Sequence, residues 1–324
     1  MIPQAQPAMI DPPPPRPWWP TDWRFYLFVV PSLILVVTFA YFPAASAIYH
    51  SFFEWQGGDT KLLVGWQNFR RAFQDTVLRD SFVTVAALMA FNLVKMVPSI
   101  LLAVVIHRLR SDRWQYFYRA LLVVPMIVPT LVTLFLWKFF FDPHLGLINR
   151  VLDFTGGKEL LVRLDQVFGW GVFFTDAPIG WLAQPELILP ALFLWGFPWI
   201  GSVGVLIYLA GLQSISREVY EAAEIDGVGP IGKFFHIELP LILTQVRLSL
   251  VLLIIGTLQS YGLQLLLLGE AGGAGGRGMV PGLWMYNRAF IAGEFGYACA
   301  IGIILFACIL GLTLLNNRYV RVDK

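Results

Sequence analysis

Lys95 is the residue of this 324-residue chain that physical chemistry singles out first. It stands midway through a long apolar run, where a charged side chain costs about 2.5–3.5 kcal/mol on the insertion scale. Charges at such depth mark solute paths, relays or ion pairs. Asn92 at i−3 and Ser99 at i+4 share its helix face, so the three form one polar stripe. A second stripe is Thr257, Ser260, Tyr261 and Gln264, with Gln259 beside it, and a third set is Trp195, Trp199 and Ser202. Aromatic faces set among hydroxyl and amide groups suit a sugar, whose ring faces are apolar and whose edges are polar. The competing role is helix–helix adhesion, since Ser, Thr, Asn and Gln commonly join spans without meeting a solute. Lys95 needs a carboxylate, or water in a central cavity. The apolar runs hold almost no Asp or Glu, which favours the cavity.

Other chemistries are poorly served. GVGPIG, residues 227–232, fits G-x-G-x-x-G, but a predicted helix rather than a strand precedes it. Lys233 after it is followed by Phe234 where a phosphate-binding loop needs Ser or Thr for magnesium. His50, His107, His144 and His236 are scattered, and none has a second ligand at helical spacing. No nucleophile elbow or paired catalytic carboxylate is visible. No metal, no cofactor and no enzymatic activity are expected of the chain by itself.

The elements that must carry these residues follow from composition. Hydrophobic residues make up 57% and charged residues 14% of the chain, against about 25% charged in soluble domains. A polytopic, all-α membrane protein is the expected class. With a net charge of +2, a nucleic-acid partner has no electrostatic support. Six windows reach the roughly 20 apolar residues that a crossing needs: 25–48, 81–106, 117–141, 187–210, 241–268 and 295–315. Pro125 and Pro129 should kink the third of them. A seventh stretch, 167–174, is too short and reads as interfacial. Cys299 and Cys308 fall on roughly opposite faces of one helix and read as packing residues.

Residues 1–22 form a proline-rich tail without signal-peptide character, expected to be disordered and cytoplasmic. The membrane domain is then 23–324. Arg108, Arg110, Arg113 and Arg119 crowd one short connection, and Arg318, Arg321 and Lys324 end the chain. By the positive-inside rule these belong in the cytoplasm, with both termini inside and the Lys158 region outside.

Between the fourth and fifth windows, residues 213–240 make a long polar connection. Ser216 can cap a helix over 217–226, with Glu218 in its first turn. Arg217 and Glu221 are spaced to pair, and Gly227 can take the left-handed turn that closes the helix. Ala222 and Ala223 would let a partner approach closely. Within it, EAAEIDGVGPIGKFFHIELP places Glu221, Ala222, Ala223, Asp226, Gly227, Phe234, Ile237, Leu239 and Pro240 in a fixed pattern: EAA, three residues, G, nine residues, I-x-L-P.

That pattern resembles the cytoplasmic signature of binding-protein-dependent ABC importer permeases. VGWQNFRRAF from Val64, FDPHLGLIN ending at Asn149, GLQSISREVYEAA, AGGAGG from Ala271, LWMYNRAF and EFGYACA look like the sugar-permease branch. Val228 departs from the family's usual alanine, conservatively. The resemblance implies the type I importer fold in a bacterial inner membrane, bathed in lipid. It implies that 221–227 is a coupling helix docking in a separate cytoplasmic ATP-binding subunit. It also implies a second permease, usually a different chain, and an extracytoplasmic solute-binding protein delivering a sugar or related polar solute. Two alternatives are weaker. An ion-coupled transporter would want inverted repeats and intramembrane carboxylates, and a membrane-embedded transferase would want a catalytic constellation.

Overall fold

The computed structural model describes residues 24–319. The proline-rich tail, 1–22, therefore lies outside the described residues, as do Trp23 and the cations Arg321 and Lys324. The chain divides into two compact units, 1–47 and 48–324. The first holds helix α1 (Arg24–Val36), a π-helical turn (Val37–Tyr41) and the start of α2 (Phe42–His50). Its apolar side chains point outward, Phe28 and Phe39 among them. An apolar surface of this extent suits hydrocarbon rather than water.

The second unit opens with an antiparallel hairpin, β1 (Phe53–Trp55) and β2 (Lys61–Leu63), in register Phe53 to Leu63. Helices α3 (Gln67–Gln74), α4 (Thr76–His107), α5 (Asp112–Ile127) and α6 (Thr130–Phe140) follow. Asp75 caps α4 by accepting from the amides of Val77 and Leu78 at 2.9 and 3.1 Å. Its other oxygen accepts from Trp284 Nε1 (2.8 Å) and the Tyr297 hydroxyl (2.7 Å), tying the start of α4 to the last third of the chain. Burial pushes this carboxyl up, yet the bonds from Tyr297, Trp284 and the two amides together hold it below its ordinary value.

Next come α7 (Leu147–Thr155) and α8 (Gly157–Phe168), then α9 (Pro185–Leu194), α10 (Ser202–Gln213) and α11 (Arg217–Ile225). A short α12 (Pro230–Lys233), a π-helical turn (Phe234–Glu238) and α13 (Leu239–Leu241) lead into α14 (Leu243–Leu258) and α15 (Gly262–Leu268). A 3₁₀ turn (Ala274–Gly276), α16 (Pro281–Tyr286), a third π-helical turn (Asn287–Ile291) and α17 (Phe295–Tyr319) complete the described chain. Both cysteines, nine residues apart on α17, are free thiols.

The apolar windows fold less simply than their lengths suggest. Among the described residues, three helices are continuous and long enough to cross a bilayer: 26–50, 76–107 and 295–318. The window 117–141 is bent by 85° between α5 and α6. Pro129 pushes Val128 into extended backbone, which ends α5, whereas Pro125 is accommodated inside α5. The window 241–268 also needs correction, since a 67° bend separates 230–241 from 243–258 and a second break falls at 259–261. The window 187–210 is not one helix either. It is α9 and α10, of 10 and 12 residues, separated by 195–201. Gly196 at φ +77° and Pro198 interrupt the ladder there, features to which a count of apolar residues is blind.

The core around the centre of the molecule is α4 against α10. Ile100, Ala103, Val104 and Ile106 pack with Val205, Leu209 and Leu212. Gly211 lets α14 approach, for a Cβ there would meet Gln245 Cδ at 2.6 Å. The stretch 167–174 is not a span: α8 ends at Phe168 and the chain continues as irregular backbone. The connection around it is nevertheless ordered. Asp165 accepts from the amides of Gly171, Val172 and Phe173 at 2.6–2.8 Å, and Asn149 joins the carbonyls of Pro143 and Ile179 to the Trp181 indole.

The bond from Phe173, followed by those from Val172 and Gly171, holds the Asp165 carboxyl below its ordinary value despite the opposing effect of desolvation. A depressed folded-state value means stability present above the unfolded pKa, about 3.9, and lost as pH falls through the folded one. Protection of the 171–173 amides from hydrogen exchange is therefore expected to hold at neutral pH and to collapse on acidification below about pH 4. Asp165→Ala is expected to lose it at every pH. Unchanged exchange in the variant would remove Asp165 as the organiser of this connection.

Candidate functional site

A cleft of about 540 Å³ opens beside the break between α9 and α10. Its walls are the polar stripe of α4, the segment 195–201, and the facing sides of α10 and α14. Asn92, Lys95, Trp195 and Trp199 all line it, together with Ser99, Tyr208 and Ser249. The volume falls in the range of small-molecule sites. No carboxylate contributes to the lining.

Each member of the α4 stripe also holds a neighbour. Asn92 donates to Thr257 Oγ1 at 2.9 Å, joining α4 to α14. Ser99 accepts from the Gly201 amide at 2.9 Å and lies 3.3 Å from the Trp199 carbonyl. Lys95 Nζ donates to the carbonyls of Leu192 (2.9 Å) and Trp195 (3.1 Å). These carbonyls end α9, where the helix dipole is negative and a cation is favoured. Among the described residues its hydrogen-bond partners are thus carbonyls rather than a carboxylate, and the lysine lines the cleft. It caps a broken helix while facing the cleft.

The break itself is shaped by aromatic residues. Trp199 has φ +61°, uncommon for a non-glycine residue and costing about 1–3 kcal/mol. Its indole donates to the Phe193 carbonyl at 2.9 Å and its ring packs on Phe193. Such strain persists only where the surroundings dictate it, and here the surroundings are the α4 stripe.

Tyr261 and Gln264, grouped with this path from sequence, are placed elsewhere. Gln264 is 2% exposed and accepts from Ser260 Oγ at 3.1 Å. Tyr261 stacks on Tyr286, with ring centroids 5.6 Å apart. Neither lines the cleft, so of the second stripe only Thr257 touches the first. A bare helical period cannot say which side of a helix its neighbours occupy.

The polar connection folds as an amphipathic helix, α11. Ser216 occupies the cap position but its hydroxyl makes no capping bond, contrary to expectation. Arg217 Nε reaches Glu221 at 2.8 Å, both largely exposed, so the pair is worth little. Glu218 sits in the first turn as expected. Gly227 closes the helix at φ +70°, and the amides of Asp226, Gly227 and Val228 bond back to Ala222, Glu224 and Ala223. Ala223 is buried, while Glu221, Ala222, Asp226 and Gly227 face out beside Ile225, which is 87% exposed. The helix, not a strand, precedes the glycine motif, so the nucleotide-like spacing has no nucleotide-like fold around it.

Sequence reasoning missed three pairings at this end. Arg108 and Glu238 form a bidentate pair, His107 Nε2 and the Tyr220 hydroxyl lie 3.1 Å apart, and Lys233 reaches Glu224 at 2.8 Å. The bond and charge of Lys233 hold the Glu224 carboxyl below its ordinary range. Burial, followed by the negative charge of Glu238, pushes the Tyr220 phenol up to about 12, so it stays a neutral hydroxyl. Glu238 carried a signal that could have been read: an acid inside I-E-L-P, at the mouth of an apolar window.

A helical membrane protein whose broken spans frame a polar, aromatic cleft, with an exposed amphipathic helix on one connection, is a transport component of the membrane rather than an enzyme. Residues 99–321 match the family model for the inner membrane component of binding-protein-dependent transport systems, and the chain belongs to that family. It is 31% identical over 309 residues to the diacetylchitobiose uptake system permease protein NgcF of Streptomyces coelicolor, covering 91% of this chain and 82% of that one. It is 30% identical over 314 residues to the sn-glycerol-3-phosphate transport system permease protein UgpA of Yersinia pestis, covering 95% and 97%. The fold matches a bacterial alginate ABC transporter, solved in complex with an alginate pentasaccharide-bound periplasmic protein. There the TM-score is 0.75 at 21% identity, over 93% of this chain and 94% of that one. The chain is a multi-pass inner-membrane permease.

Proposed function

We propose that this permease carries a sugar or related polar solute, received from an extracytoplasmic binding protein, through a path of which it forms half. A second permease chain supplies the other half, as a heterodimer. ATP is hydrolysed on separate cytoplasmic subunits that dock on Glu221, Ala222, Ala223, Asp226 and Gly227. The chain crosses the bilayer six times with both termini in the cytoplasm, α9 and α10 together making one crossing. Asn92, Lys95, Trp195 and Trp199 face the solute on its way.

The observation that carries this reading is the cleft, where a cation, an amide, two indoles and hydroxyls converge without a carboxylate. The relatives support the solute class, since two of them are named for an amino-sugar dimer and a polyol phosphate. The pairings Arg108–Glu238 and His107–Tyr220 put the arginine-rich connection and α11 at one end of the molecule, in keeping with a shared cytoplasmic face. Alternating access follows from closure of the ATPase subunits, which moves α11 and re-orients the broken spans around the cleft.

The test combines topology with partnership. In a chain with Cys299 and Cys308 replaced by serine, a cysteine at position 224 is expected to react with a membrane-impermeant maleimide only after the cytoplasmic face is opened. One at position 158 should react from outside. Labelling of position 224 in intact cells would overturn the orientation and the docking role together. Mild-detergent purification is expected to bring down an ATPase and a second permease.

A further inference from the structure

One buried ion pair has no part in the cleft or in the docking face. Glu238, wholly buried, accepts from Arg108 Nε at 3.0 Å and from an Arg108 terminal nitrogen at 2.7 Å. The same nitrogen donates to the Pro230 carbonyl, also at 2.7 Å. Pro230 begins the segment after α11, and Glu238 ends its π-helical turn. A single guanidinium therefore grips both ends of 230–238. Its fork of five fixed donors makes this possible, which a lysine's point charge would not.

Arg108 is itself the residue that closes α4. Its neighbour His107 contacts the Tyr220 hydroxyl of α11, with ring centroids 5.7 Å apart. The last turn of α4 thus holds the chain on both sides of the Gly227 turn, across 113 and 130 residues of sequence. From Arg108 back to Lys95 the helix is continuous, a distance of about 20 Å at 1.5 Å per residue. The stripe that grips the 195–201 break lies at that distance on the same unbroken helix, which accommodates Pro98 between the two ends. Stability alone is a poor explanation for the pair, because apolar residues of similar volume commonly hold such a position as well or better.

We infer that Arg108 and Glu238 are positioning residues for energy coupling: their clamp makes the α11 loop and α4 move as one body, carrying a displacement at α11 to Lys95 and Ser99 in the cleft. This rests on the reading that α11 docks an ATPase subunit. It adds the route by which that event reaches the path.

The experiment uses the whole assembled transporter, purified with its ATPase subunits and second permease and reconstituted in lipid. Ser249→Cys, placed in the cleft wall of a chain lacking Cys299 and Cys308, reports accessibility to a maleimide with and without Mg-ATP and vanadate. Arg108→Gln and Glu238→Gln are each expected to cut the nucleotide-dependent change in labelling at least fivefold, while ATPase subunits co-purify at the normal ratio and still hydrolyse ATP. The exchange of Arg108→Glu with Glu238→Arg should recover part of the response. A full response in either single variant overturns the inference. Where single variants fail to assemble, the apolar pair Arg108→Leu with Glu238→Leu keeps the site packed. A lost response in that assembled complex supports the clamp, and a normal one shows a structural role only and overturns it. Absence of ATPase subunits from the unsubstituted preparation would instead refute the docking reading on which the inference stands.

Discussion

Gly227→Val is expected to leave the permease inserted and assembled but to lower solute uptake at least tenfold, whereas Gly227→Asn should stay near normal. The residue sits at φ +70° and closes α11 through bonds from Gly227 and Val228 back to Glu224 and Ala223. A Cβ there would meet nothing within 4 Å. Space is therefore not the obstacle, and the whole penalty is conformational. It amounts to roughly 1–2 kcal/mol for an ordinary L-residue and more for a β-branched one, while asparagine visits this region readily. A cost of that size does not unfold a core built on α4 and α10, but it relaxes the turn and mis-aims the exposed face carrying Glu221, Ala222 and Asp226. Glu221→Lys should act in the same direction by breaking the Arg217 pair and reversing charge on that face. Uptake by proteoliposomes, normalised to assembled complex, distinguishes the valine and asparagine variants. Equal uptake by the two would show that the turn does not set the docking geometry.

Lys95→Met is expected to assemble at half or more of the normal level and to lose most uptake. The amine holds the carbonyls of Leu192 and Trp195, and hydrogen bonds to a charged group are worth about 1.5–3 kcal/mol each in mutational terms. Part of that loss is recovered here, because Trp195 lines the cleft and its freed carbonyl can bind water there. No carboxylate lines the cleft to be left unpaired, so the large penalty of a broken buried ion pair does not arise from this chain. What is lost is the cap on α9 and, with it, the placement of Trp195 and of the strained Trp199 beside it. Uptake of a solute carried by the unsubstituted complex, measured beside the amount of assembled complex, separates the roles. A fall in assembly with normal uptake per complex would make Lys95 a structural residue, and no change in either would leave it with no role in transport.

The helical membrane class was legible in the sequence because apolarity over twenty residues is a local property with a single common solution in lipid. The α11 helix, its left-handed Gly227 closure and the Arg217–Glu221 pair were legible for the same reason, being interactions within one turn. Lys95 announced itself through the energy of charge in hydrocarbon, a cost that needs no knowledge of neighbours. The identity of its partners did not follow, because they are carbonyls about a hundred residues away, and every residue has a carbonyl. Helical spacing grouped Tyr261 and Gln264 with the path, but packing turned Gln264 inward and put Tyr261 against Tyr286. The windows 117–141, 187–210 and 241–268 are bent or broken where proline, glycine or tertiary contacts outweigh the helical ladder. Arg108 and Glu238 looked like a loop cation and an unremarked acid until the fold brought them to 2.7 Å. Periodicity, capping and the cost of a buried charge act within a few residues and can be read along the chain. Which polar groups meet to relieve that cost is set by contacts between distant segments, and only the tertiary structure decides them.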